Sequence, residues 1–158
     1  MPCSGRAMPL WSIALFLLYW VTFAATMAYA LRRGGRPERA GAIIIMAGSL
    51  LTVLVMSTAP HSSVQQAALL GRAVFAIDVA ILAALVILAL TSKRFWPLWV
   101  VGFHLNGVMA HLAHVLDWTL LPHAYVLMQP FWIYPMFVAL ALGTRGRQRS
   151  IEGSASIA

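Results

Sequence analysis

Apolar runs long enough to cross a bilayer recur along this chain, and its Lys and Arg residues gather in every second gap between them. Nine of the eleven basic residues fall in three places. Arg32, Arg33, Arg36 and Arg39 follow the first run, Lys93 and Arg94 divide the third from the fourth, and Arg145, Arg147 and Arg149 follow the fifth. Arg6 and Arg72 stand apart. Cytoplasmic loops of membrane proteins carry the Lys/Arg excess, so this alternation yields a span count and an orientation together. The expectation is an all-α, polytopic transmembrane helical bundle of five spans, with its N-terminus outside and its C-terminus in the cytoplasm.

A spanning helix needs roughly 20 mostly apolar residues to cross about 30 Å of hydrocarbon. Segments 8–31, 40–59, 67–90, 95–116 and 122–142 meet that need. They make one transmembrane bundle over residues 1–143, followed by a disordered cytoplasmic tail over 144–158 that is rich in Arg, Ser and Gly. The Ala28-Tyr29-Ala30 sequence resembles the small-x-small end of a secretory signal peptide. Cleavage there would put the Arg32-to-Arg39 cluster outside, against the charge rule, so an uncleaved first helix is expected. Only 9% of residues are charged, against roughly a quarter in soluble domains, and lipid is the solvent such a chain suits. The net charge of +7 sits in short loops and a tail, where anionic headgroups account for it and nucleic acid does not. Cys3 is the sole cysteine, which rules out an intrachain disulfide and a thiolate cluster.

The polar residues inside the apolar runs carry what chemistry the chain has. Asp78 falls near the middle of the third run, where an ionised carboxylate must face a cavity, find a partner or stay protonated. Its face of the helix also carries Gly71, Val74 and Leu85, opposite a ridge of Ala73, Ala76, Ala80 and Ala84. Both faces then have reason to meet protein, which puts this helix at the bundle centre. Arg72 can snorkel to the headgroups. In the fourth run His104 and His111 project within about 20° of one another on a helix. Gln129 reaches a similar depth on the fifth, where Pro130 and Pro135 are expected to kink or loosen the helix. A candidate polar site therefore contains Asp78, His104, His111 and Gln129.

Imidazole and carboxylate are ligand types suited to zinc or non-haem iron, which makes His111, His114, Asp117 and His123 a candidate metal set. The row 111, 114, 117 winds through about 120° of helix, a strain on any single centre. His104 and His111 lie about 10.5 Å apart along the axis, too far for one ion but compatible with a haem ligand and a relay residue at different depths. Packing and interfacial hydrogen bonding is the alternative role for all of these histidines. No phosphate loop, nucleophile elbow, His-Glu-x-x-His or Cys-x-x-Cys motif occurs.

The stretch from Ser92 to Gly143, with its Trp96-Pro97-Leu98-Trp99 entry and His-rich helix, resembles small uncharacterised bacterial inner-membrane proteins. The resemblance implies multi-pass location in the inner (plasma) membrane and carries no activity or site residue. Three functions follow as expectations. The first is a non-enzymatic accessory or modulatory subunit of an inner-membrane complex, with a membrane-protein partner or a second copy of itself. The second is a haem-, metal- or quinone-linked redox protein using the fourth helix. The third is a proton- or ion-conducting bundle centred on Asp78.

Overall fold

The computed structural model of the chain describes residues 10–58, 64–116 and 131–155, and all regular structure among them is helical. The helices are α1 (Leu10–Arg33), α2 (Arg36–Thr58), α3 (Val64–Thr91), α4 (Trp96–Leu116) and α5 (Ile133–Ala155). Long runs of Leu, Ala, Ile and Val without an internal Pro favour these elements. Each Pro they contain sits in a first turn: Pro37 in α2, Pro97 in α4 and Pro135 in α5. There its missing N–H would have had no intrahelical partner. Among the described residues three helices are long and apolar enough to cross a membrane, over Ile13–Arg33, Arg36–Thr58 and Ala68–Thr91.

Each helix packs on its sequence neighbours, α5 closes back on α1, and α2 also touches α5. The result is a ring of helices in chain order around one interior. The three basic clusters come together at one end of it. Gly34 and Gly35 turn α1 into α2, a Cβ on Gly34 would collide with Ala30 and Glu38, and a Cβ on Gly35 would lie 2.7 Å from the Arg147 guanidinium. Tyr29 donates a hydrogen bond to Gln148 Oε1 at 3.2 Å, and Arg36 lines the same cleft as Lys93 and Arg94.

A buried carboxylate organises this end. Glu38 is 0% exposed; its Oε2 accepts the Gly35 N–H at 2.8 Å and its Oε1 the Trp96 indole N–H at 3.1 Å. The first contact is the N3-to-Ncap half of a capping box. The second ties α2 to α4, and the Trp96 ring then lies against Gly41 of α2 and Gly143 of α5, where a Cβ would collide with it. Around this joint Ala30, Ala42, Leu85, Val100 and Leu140 are all 0% exposed. The basic half of the bundle is thus filled.

Several expectations change here. The segment beyond 143 is no disordered tail: α5 runs on to Ala155, held by the Thr144 hydroxyl on Leu140 O at 2.9 Å and by the Tyr29–Gln148 bond. Pro135 opens α5 and does not kink it; Pro130 and the first part of the expected fifth span, residues 122–130, lie outside the described residues. Nor is α3 central. Its Ala76 and Ala80 are exposed, because the face with Val74, Asp78 and Leu85 is the one turned inward. Arg72 is exposed, as snorkelling requires.

Replacing Trp96 by Phe keeps the ring among its glycines and removes one donor from a sealed carboxylate. A loss of about 1–3 kcal/mol in unfolding free energy is expected, read from denaturant titration in detergent; unchanged stability would show that this bond does not hold the joint.

Candidate functional site

The opposite half of the ring is hollow. A cavity of about 340 Å³ is lined by residues from every helix, near the lower end of the roughly 300–1,000 Å³ usual for ligand pockets. Most of its wall is apolar or aromatic: Trp20 from α1, Ile45 from α2, Phe103 from α4 and Met136 from α5. Its polar groups come from α3 and α4 (Asp78, His104, His111), from α2 (Ser49, Thr52) and from α1 (Tyr19).

Asp78 and His111 meet because α3 and α4 are antiparallel neighbours. A helical side chain leans toward its own N-terminus, so on antiparallel helices two side chains lean in opposite directions along the bundle. Asp78 leans away from the basic end and His111, set further from that end on α4, leans back toward it. His111 Nε2 lies 3.1 Å from Asp78 Oδ2, and the His111 residue is only 8% exposed. One α4 heptad below, His104 Nε2 lies 3.0 Å from the backbone oxygen of Asp78. A carbonyl oxygen can only accept, so His104 carries a proton on Nε2. One α3 residue thus holds two histidines of α4, through its side chain and its backbone.

Of the predicted polar site, Asp78, His104 and His111 come together; Gln129 lies outside the described residues. Of the predicted metal set, Asp117 and His123 also lie outside them, and the structure does not describe the His114 side chain. Among the described residues no three His, Cys, Asp or Glu side chains converge on a metal position. For haem, the Nε2 atoms of His104 and His111 already face Asp78, and an axial bond through either would displace that contact. Leu85, Val100 and Leu140, each 0% exposed, belong to the same buried apolar cluster as Trp96.

Sequence reasoning missed the α2 wall. Ile45, Gly48, Ser49 and Thr52 recur at i, i+3, i+4 and i+7, one helical stripe that mixes hydroxyls with a glycine. Gly48 sits close against Ile81 of α3 and lets the two helices approach just below Asp78. No protein-family model, curated protein or solved structure matches the chain.

A double-mutant cycle between Asp78→Asn and His111→Ala, read by denaturant unfolding in detergent, is expected to give a coupling of about 1–3 kcal/mol. Additive single effects would mean that the two side chains do not act as a pair.

Proposed function

We propose that the chain is a multi-pass protein of the bacterial inner membrane that binds, without transforming it, a small apolar molecule of the quinone class in its hollow half. The observation that carries this reading is the cavity itself: an aromatic chamber with the Asp78–His111 pair and His104 on one wall and two hydroxyls on the next. A flat ring needs apolar faces to lie against and hydrogen-bonding groups at its edge for its carbonyl oxygens, and this wall composition supplies both. An apolar tail on such a ring would extend into lipid. The compact, motif-poor sequence supports a binding role within a larger membrane complex, with this bundle as the accessory subunit that holds the ligand.

Five crossings, an outer N-terminus and a cytoplasmic C-terminus belong to the same proposal. Its support is the gathering of all three basic clusters at one end, which lets a single bilayer leaflet satisfy them together. The cavity then opens in the half facing away from the cytoplasm. The continuous α1 through Ala28, Tyr29 and the fully buried Ala30 supports its retention as an uncleaved helix.

Trp20 and Trp132 both line the cavity, so a quinone bound there should quench their fluorescence. Titration of the purified protein with a short-tailed ubiquinone analogue is expected to give saturable quenching. The change His111→Ala removes the partner that holds Asp78 at the cavity wall and should weaken the apparent affinity about tenfold, about 1.4 kcal/mol. Linear, unsaturable quenching, identical in His111→Ala, would defeat the ligand reading. For orientation, Cys3→Ser provides the background for single cysteines at Thr58 and Ser92. A membrane-impermeant maleimide applied to intact cells is expected to label the cysteine at 58 and not the one at 92; the reverse would invert the topology.

A further inference from the structure

The outside of the bundle carries a second feature, which shares only Phe103 with the lining of the central cavity. Between α4 and α5 a lateral groove of about 780 Å³ runs from Arg94 and Gly146 at the basic end to Phe103 and Tyr134. Its sides are aromatic and aliphatic, with Phe95 69% exposed just before α4, Trp99 55% exposed on it, and Val138 and Leu142 exposed on α5. Its depth comes from Ala139, Gly143 and Gly146 on α5, at i, i+4 and i+7, with the Trp96 ring drawn in against Gly143. Around the corner, a cleft of about 460 Å³ is lined by Arg36, Lys93 and Arg94 and contains no acidic residue. All three cations are exposed. Arg94 lines both depressions.

We propose that this composite surface binds one anionic glycerophospholipid. The phosphate lies among Arg36, Lys93 and Arg94, and an acyl chain lies in the groove between α4 and α5. Charge selects the occupant's head: three cations without a counter-charge in their cleft fit a phosphodiester, and guanidinium groups match its oxygens in bidentate fashion. Shape selects its tail. From Gly146 to Tyr134 the groove follows about 18 Å of helix, close to one leaflet's share of about 30 Å of hydrocarbon. A soluble phosphate would leave the groove unused, and a zwitterionic lipid would set its own cation beside Arg94. The inference rests on the membrane reading and is independent of what the central cavity holds.

The test is thermal unfolding of delipidated protein in a neutral detergent, followed by circular dichroism, with phosphatidylglycerol, phosphatidylcholine of the same chains, or glycerol phosphate added. Saturating phosphatidylglycerol is expected to raise Tm by about 5 °C, with little effect from the other two. The variant K93Q/R94Q changes only exposed side chains and should lose the preference for phosphatidylglycerol. In the second variant, Gly146→Leu, the basic cleft is kept and the groove filled; its Cβ meets nothing within 4 Å, so folding is spared while the lipid shift should fall. Equal shifts with both lipids, a full shift with glycerol phosphate, or an undiminished shift in both variants would overturn the proposal. So would a dimer that Gly146→Leu dissociates, because the groove would then belong to a second copy. Far-UV circular dichroism and the lipid-free Tm of both variants serve as the control for folding.

Discussion

A carboxylate held among apolar helices has to find its hydrogen-bond donors inside the protein, and this bundle is arranged around two that do. Glu38 finds a backbone N–H and an indole at one end; Asp78 finds an imidazole in the other half. Stranding either would cost far more than a lost surface contact, because a low-dielectric surrounding magnifies an unpaired charge. Each carboxylate therefore ties two helices together: Glu38 bridges α2 to the start of α4 across the ring, and Asp78 joins the neighbours α3 and α4. Helix α4 is common to both, and its two ends are fixed by different partners. Apolar packing in lipid cannot by itself distinguish one helix order from another, since a Leu gains little by exchanging lipid for protein. The polar joints supply that discrimination.

The two joints differ in what surrounds them, and the difference separates structure from function. Glu38 is enclosed by backbone, by the Trp96 ring and by glycines that let the ring approach; there is no room for anything else. Asp78 has partners on one side and open volume on the other. A polar group needed only for packing can be sealed, as Glu38 is. Open volume beside a polar pair is what the proposed ligand site requires.

How much of this was legible in the residues varies with the physics involved. Charge alternation and unbroken apolar runs announced the helices, because both are local features of the chain. Asp78, His104 and His111 stood out because polar groups are rare in such runs, and the seven-residue spacing placed both histidines on one face. Glu38 did not stand out. It sits inside an Arg cluster and reads there as one more loop charge, although its three-residue spacing from Gly35 was the available sign of a cap. Trp96 read as an interfacial aromatic, whereas its indole turns inward to Glu38, a tertiary choice that no local pattern encodes. The alanine ridge of α3 misled for a related reason: small residues permit close packing without requiring it, whereas Asp78 requires the interior. The Arg-rich end of α5 lacked apolar periodicity, yet it is helical through Ala155, with Arg147 against Gly35 and Gln148 bonded to Tyr29.

The filled half and the hollow half also explain how one small bundle can present two unrelated surfaces. Because Trp96 draws in against Gly143, the outer wall between α4 and α5 is left concave just where Arg94 emerges. The interior seal and the exterior groove are two sides of the same packing decision. Closing the basic end from within creates the relief outside it. A ligand in the cavity presses on the α3–α4 contact at Asp78, whereas an amphiphile in the groove presses on α4 and α5 at Trp99 and Val138. Both act on α4. Helix α5 lines both depressions as well, Phe103 of α4 is common to the two, and the Glu38–Trp96 bond fixes the base of α4.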